Sequence, residues 1–481
     1  MNSVNKNAMF NTVKTVFGII YPLITFPYIS RVLMAENVGK INFVCSIISY
    51  FSLLASLGVS TYAIRECSKV RDNIEKLDSL SSQIFSMNII STLIAYVALA
   101  ITLVVARPLD NYRILICIQS ATILFTTLGA DWINSVMEDF KFITVRTVGM
   151  QLVSLFLMFV FVHKPNDYIT YVIISVVASS GANIINIFYR SRFCKTRFTL
   201  SIDWKRHLPP IMLLFSLVLA QTIYCNSDIT MLGLIKNDRE VGLYSLSVRI
   251  YTLVNQVVSS VAFVVMPQLS LNFTNNNYRK VNELLRYSLN FIIVLGLPCI
   301  VGLNVITKSI IGTLGGSEYA GSATSLHILT MSLACSFISG WIGNMMMIPS
   351  GRENISLKSS VISASLNVVL NLFIIPIFGL NGAAFTTFLA EFCGIIVKVP
   401  HIDKRIKIER LFEMVKGPLF GSIFIFFVGI VSSSLISSDL IIVIVSITIG
   451  AIGYGIILFI LKDEFVVSYF APIIDKMKRR K

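Results

Sequence analysis

From residue 12 to residue 461 the chain returns again and again to apolar runs long enough to cross a bilayer, with connectors too short to build a core of their own. A hydrocarbon core takes about 20 apolar residues of helix. By that measure spans fall near 12–33, 41–63, 83–105, 114–135, 142–162, 168–189, 209–231, 242–268, 286–307, 323–347, 359–378, 382–399, 417–437 and 440–461, fourteen in all. A length of 481 residues would otherwise suggest several soluble domains, but 55% of the residues are hydrophobic and only 14% charged. The expectation is one all-α integral membrane domain.

The N-terminus starts polar and runs into an apolar stretch of spanning length without a small-residue cleavage site, which reads as a first span rather than a removable signal. Eight cysteines and four histidines are scattered, and no Cys-x-x-Cys occurs. The pattern supports neither a disulfide framework nor a zinc site. The glycine-rich stretch "GTLGGSEYAG" lacks the lysine of a phosphate-binding loop, and no soluble catalytic constellation is visible.

Lysine and arginine accumulate on the cytoplasmic side of short loops. With the N-terminus inside, 30 of the 40 basic residues fall in cytoplasmic segments or span edges and 8 on the opposite side, with Arg146 and Arg249 inside spans. The asymmetry favours an even number of spans with both termini cytoplasmic. It also accounts for the net charge of +15 without nucleic acid as a partner, and the terminal "KMKRRK" suits anionic headgroups.

The two halves echo each other. "ENVGKINFVCSI" at 36–47 compares with "REVGLYSLSVRI" at 239–250, and a basic connector follows the second span and the eighth. Six spans separate the copies, so both halves cross in the same direction, as two six-helix lobes related by a pseudo-two-fold axis along the membrane normal, with two C-terminal helices added. The expected divisions are an N-lobe at 1–189, an inter-lobe linker at 190–208, a C-lobe at 209–399, a second linker at 400–416, the last two spans at 417–461 and a basic cytoplasmic tail at 462–481. In repeat transporters the substrate path lies between the halves.

Ionisable and polar residues inside spans are costly and are functional candidates. Depth counted along each helix brings Asp228, Arg249, Asn367, Asn371 and Thr387 to a similar level in the outer part of the membrane. Asn367 and Asn371 share a helix face. A carboxylate, two amide oxygens and a hydroxyl are hard donors that suit Na⁺, or a proton on the carboxylate; a plain Asp228–Arg249 ion pair and an interhelical asparagine bond are the structural alternatives. In "GADWINSVMEDFKFITVR", Asp131 and Trp132 close span four, Glu138 and Asp139 lie in the loop, and Arg146 enters span five, where pairing with Glu138 or Asp139 would anchor the interface. Arg31 and Arg65 near span ends either face a cavity or snorkel.

"FPYISRVLMAENVGKINF", "GVSTYAIRECSKVRD", "DWINSVMEDFKFITVR" followed by "KPNDYITY", and "SGRENISLKSSVISASLNVVLNLFIIPIFGLNGAAFTT" together resemble the Wzx-type polysaccharide repeat-unit flippases of the multidrug/oligosaccharidyl-lipid/polysaccharide exporter superfamily, over residues 8–460. The resemblance implies a bacterial inner-membrane protein that moves an undecaprenyl-pyrophosphate-linked oligosaccharide outward by alternating access, for capsule, O-antigen or another glycan. It implies a cation site at Asp228, Asn367, Asn371, the backbone of Ala383, and Thr387. Asn371 departs from the related peptidoglycan-precursor flippases, which carry a second carboxylate there, so both Na⁺ and H⁺ coupling stay open. It further implies a cavity of arginines meeting pyrophosphate, with Arg249, Arg31 and Arg146 as candidates, and a cytoplasmic network of Arg65, Asp131, Glu138 and Asp139. No other cofactor is implied; membrane lipids, a polysaccharide polymerase and a chain-length regulator are the candidate partners. Two other readings fit a chain of this kind: a drug/cation antiporter of the same superfamily, and a membrane polymerase or ligase. The short outer loops argue against the second.

Overall fold

The computed structural model describes residues 3–463, so most of the basic tail expected at 462–481 lies outside the described residues. Among the described residues there is no strand. Lipid offers no partner to backbone N–H and C=O groups, so a spanning segment satisfies them within itself as a helix. The helices are α1 (Ser3–Ser56), α2 (Val59–Ser68), α3 (Ile74–Val105), α4 (Arg113–Gly129), α5 (Trp132–Val136), α6 (Phe140–Phe161), α7 (Tyr168–Tyr189), α8 (Trp204–Ile235), α9 (Asp238–Ser259), α10 (Val261–Thr274), α11 (Tyr278–Val305), α12 (Thr307–Leu314), α13 (Ala323–Trp341), α14 (Glu353–Lys398), α15 (Leu411–Leu435) and α16 (Asp439–Ile460). Phe156, Phe188, Phe373 and Phe412 point outward, while serines, threonines and asparagines are buried between helices. That inversion belongs to a protein whose solvent is hydrocarbon, where small and polar residues supply the helix contacts.

Eleven stretches among the described residues are long and apolar enough to cross a membrane, or twelve when α9 and the bent continuation into α10 count as one. Two are too long for a single crossing: 60 residues from Met9 to Ser68 and 49 from Glu353 to His401, against about 20 for a hydrocarbon core. Each is broken inside one helix by a residue off helical geometry, Met34 (φ 66°) in α1 and Gly379 (φ 55°) in α14, and the first is broken again at Leu57 and Gly58, between α1 and α2. In α14 the fold-back is direct: the Thr386 hydroxyl bonds Asn371 and the Ser359 hydroxyl bonds the Gly394 carbonyl, pairs that a straight helix would hold tens of ångströms apart. The total is therefore close to the fourteen spans expected. Where a loop was expected at 34–40 and between 378 and 382, helix continues to the break on both sides. A single residue of positive φ redirects the chain without a loop.

The chain divides into two compact units, residues 1–242 and 243–481. In the first, α8 packs on α1 and α2, with Tyr62 bonded to His207 at 2.7 Å and Thr230 to Tyr50 and Ser46 at 3.1 and 2.9 Å. The segment after α7 is tied down as well. The backbone N–H groups of Lys195, Arg197 and Thr199 donate to the side chains of Asp78, Ser82 and Ser86 at 2.9, 3.1 and 2.8 Å. Every second residue of an extended chain, about 6.6 Å apart, meets every fourth residue of α3, about 6 Å apart. The periods match closely enough for three successive bonds.

The repeated stretches meet reciprocally within the first unit. A Cβ on Gly39 would lie 1.7 Å from the Asp238 carbonyl oxygen, and one on Gly242 1.9 Å from the Ala35 oxygen. Ala35 and Gly39 occupy, in the first copy, the places of Asp238 and Gly242 in the second. Each copy thus presents a glycine to the backbone of the other, as a two-fold relation requires.

In the second unit, α11 packs on α13 and α15, α15 packs on α16, and α13 also packs on α14. Three loops are joined at Asp403, which accepts from Arg405 at 2.8 and 3.1 Å, from Arg352 at 3.5 Å and from Tyr278 at 3.4 Å. The Arg405 guanidinium lies 4.0 Å from the Tyr278 ring centroid. Arg405's hydrogen bonds hold the Asp403 carboxyl well below the usual carboxylate range. A depressed folded value contributes stability above the unfolded value of about 3.9 and loses it only as the pH falls through the folded one. Hydrogen exchange of residues 401–407 should therefore be protected evenly between about pH 5 and 8, and Asp403→Asn should exchange faster throughout that window.

Candidate functional site

Asn367, Asn371, Ala383 and Thr387 come together in the second unit, all of them buried. Their meeting depends on the break at Gly379 and on Gly382, where a Cβ would sit 2.9 Å from the Ile374 carbonyl oxygen. Asn371 donates to the Asn367 oxygen at 3.2 Å, Thr386 donates to the Asn371 oxygen at 2.5 Å, and Asn367 donates to the Thr386 hydroxyl at 3.5 Å. Thr387 bonds the Ala383 carbonyl at 3.0 Å and its hydroxyl lies 3.4 Å from that of Tyr244. Thr386, absent from the sequence-based candidates, is the residue that bridges the asparagines.

Both amide oxygens of this cluster already accept hydrogen bonds, and the cluster contains no carboxylate. Within the second unit these residues supply neutral amide, hydroxyl and carbonyl oxygens, donors of the hard type. Among the described residues no group of three or more His, Cys, Asp or Glu is placed to hold a metal. Asp228 is buried on α8 in the first unit. Replacing Asn371 by leucine removes one donor and one acceptor from a buried network, and should lower unfolding free energy by about 1–3 kcal/mol; Thr386→Val, which leaves the asparagine pair bonded, should cost less. Thermal unfolding in detergent ranks the two.

In the first unit a second polar network joins three loops. Arg71 bonds Glu138 at 2.5 Å, Tyr189 bonds Asp139 at 2.7 Å, and Asp139 also caps α6 through the Phe142 N–H. Hydrogen bonding to Glu138 raises the guanidinium value of Arg71. Arg146 pairs with Asp131, not with Glu138 or Asp139, and donates to the Ala182 carbonyl at 3.0 Å. Its side chain is 3% exposed. Beside it, Asn134 donates to the Asn186 oxygen at 2.6 Å and Asn186 to the Gly129 carbonyl at 2.7 Å; a Cβ on Gly129 would come 2.7 Å from that of Asn183, so α4 and α7 touch here. Arg65 pairs with Glu66 at 3.1 Å on the surface. Of the arginines expected in a cavity, Arg31 and Arg249 are exposed and Arg146 is enclosed.

A model described as "Polysaccharide biosynthesis protein" matches residues 4–273. The putative O-antigen transporter of Shigella dysenteriae is 21% identical over 381 residues, which are 77% of this chain and 93% of that one. The capsular polysaccharide biosynthesis protein CapF of Staphylococcus aureus is 24% identical over 403 residues, 81% of this chain and 97% of its own. Among solved structures, the lipid II flippase MurJ in an inward closed conformation matches with a TM-score of 0.75 over 97% of this chain and 100% of that chain, at 15% identity, a likeness of fold. With a family match over more than half its length, the chain belongs to the polysaccharide biosynthesis protein family.

Proposed function

We infer that this chain is a flippase that carries lipid-linked oligosaccharide repeat units across the cytoplasmic membrane for surface polysaccharide assembly, and that it is a transporter rather than an enzyme. The observation that carries this reading is the alignment with a putative O-antigen transporter and a capsular polysaccharide protein over 93% and 97% of their lengths. The physical demands of the task agree. A pyrophosphate with several sugars does not enter hydrocarbon, so the protein must offer it a wet, cationic route; Arg249 and Arg31 are exposed cations on α9 and α1. The lipid tail needs an apolar surface. A cavity of about 400 Å³, lined by Pro298, Gly302, Ile306, Ile425, Ile447 and Tyr454 among others, lies between α11, α12, α15 and α16 and suits an isoprenoid chain.

In this reading both termini are cytoplasmic, because that orientation puts most of the lysines and arginines inside. The loops held by Asp403 and by Arg71–Glu138 then belong to the cytoplasmic end. Transport is ion-coupled.

Deleting the gene should leave lipid-linked repeat units accumulated on the inner leaflet and remove surface glycan, and the intact gene should restore both. Normal glycan with new sensitivity to cationic drugs would identify an antiporter instead. Single repeat units reaching the outer leaflet without polymerising would identify an enzyme.

A further inference from the structure

The second half of α14 carries Thr387, Glu391, Gly394 and Lys398 at steps of four, three and four residues, hence on one face. Each meets polar groups of the same unit. Below the Thr387–Tyr244 contact, Tyr251, two turns farther along α9, donates to Glu391 at 3.4 Å. Lys398, buried, donates to the Ser339 carbonyl at 3.1 Å and to its hydroxyl at 2.8 Å. Between the two charges sits Gly394. A Cβ there would be 3.1 Å from the Ser339 oxygen, 3.2 Å from that of Ser363 and 3.6 Å from that of Ser359. The glycine keeps three hydroxyls facing one another.

The hydroxyl of Ser363, a residue 7% exposed, has no hydrogen-bond partner. Orphaned buried hydroxyls are rare in native proteins and mark a place where something else bonds; here the surroundings are polar enough for water. Ser332, Ser336 and Ser339 repeat at four and three residues along α13, with Asn255 donating to Ser336 at 3.1 Å. Just beyond them α13 widens into a π-helical turn, Ile342–Met347, a form that recurs at functional sites.

Glu391 and Lys398 stand two turns apart, about 10 Å along the helix axis, close enough to feel each other. A carboxyl and an ammonium inside a spanning element are costly to keep without a use. We propose that Glu391 is a proton-carrying group of this transporter, exchanging its proton with water in the serine-lined space at Gly394, with Lys398 as the fixed cation that sets its affinity. On uptake the carboxylate gains one proton from water; on release that proton returns to water and the carboxylate re-forms. No other bond changes. Titratable and charged groups that act on it include Tyr251 from α9, Cys335 from α13 and Lys398 on its own helix. The proposal rests on the ion-coupled flippase reading for its use, but its chemistry is tested without substrate.

Dicyclohexylcarbodiimide reacts with carboxylic acids, not carboxylates, in apolar surroundings. Applied to the purified full chain in lipid nanodiscs between about pH 5.5 and 8.5, with peptide mass spectrometry as the readout, it should modify Glu391 at the acid end and fall at least tenfold by the alkaline end. Lys398→Met should move the midpoint up by about one pH unit, the effect of removing a charge at about 10 Å in a medium of intermediate dielectric constant. Labelling that is absent at every pH, constant with pH, or unmoved in Lys398→Met overturns the proposal. In a deletion strain, Glu391→Gln should flatten the dependence of surface glycan on external pH and Glu391→Asp should retain it. A wild-type pH response in Glu391→Gln also overturns it. A deletion strain with normal glycan would instead sink the flippase reading and leave the labelling result to stand by itself.

Discussion

Gly39→Ala and Gly242→Ala are each expected to disable the protein, although alanine is the better helix former. The added Cβ would lie 1.7 Å from the Asp238 oxygen in the first case and 1.9 Å from the Ala35 oxygen in the second. Both obstacles are backbone, so no rotamer change relieves them, and the segments must separate by more than an ångström. Asp238 is itself held by the Tyr112 hydroxyl at 2.6 Å, which opposes that movement. Overpacking commonly costs about 1–3 kcal/mol, and a clash with backbone on both sides belongs at the upper end. Gly149→Ala is the control, since nothing lies within 4 Å of a Cβ there. The measurements are a monodisperse peak in detergent and restoration of surface glycan in the deletion strain. Wild-type behaviour in Gly39→Ala would show that the reciprocal contact is not made in the membrane.

Asp131→Ala should be the next most damaging change. It leaves the Arg146 guanidinium enclosed beside the Phe142 ring, 5.3 Å from its centroid, with the Ala182 carbonyl as a remaining acceptor. Removing one partner of a buried pair costs about 3–5 kcal/mol because the other charge is stranded. The Asp131 side chain is 38% exposed, so water partly replaces it and about 2–3 kcal/mol is expected. The sign reverses for the double change: Asp131→Ala with Arg146→Met removes both charges and should recover most of the loss in thermal unfolding. If the double variant is no better than Asp131→Ala alone, the pair is not what holds this corner of the first unit.

The two asparagines in the opening turn of "NVVLNLFIIPIFGLNGAAFTT" were legible as a pair, because i, i+4 spacing places them on one face whatever the surroundings. Their partner was not. Thr386 and Thr387 differ by about 1.5 Å in depth and by about 100° in azimuth, so a depth count cannot separate them, and the structure gives the bridging role to Thr386. Arg146 was legible as a charge entering a span, with Glu138 or Asp139 as its expected partner, but its pairing with Asp131 was not. Which carboxylate it takes follows from the left-handed residues Ala130 and Glu138, which turn the short helix α5 between them. Lys398 counts with the cytoplasmic span edges, since nothing in hydropathy distinguishes a lysine at a helix end from one folded back onto Ser339.

The sequence by itself determined that the chain is a bundle of membrane-crossing helices, close to fourteen in number, and that it belongs to the polysaccharide biosynthesis protein family. Transfer from water to hydrocarbon is summed residue by residue over about 20 positions, so a linear reading captures it. Only the tertiary structure decided which asparagine, arginine and glycine meets which partner. Those contacts depend on helix azimuth and on single-residue breaks such as Met34 and Gly379. In hydrocarbon, where every helix face is already apolar, small residues and hydrogen bonds select among packings of nearly equal burial, and a hydropathy sum carries no record of that selection.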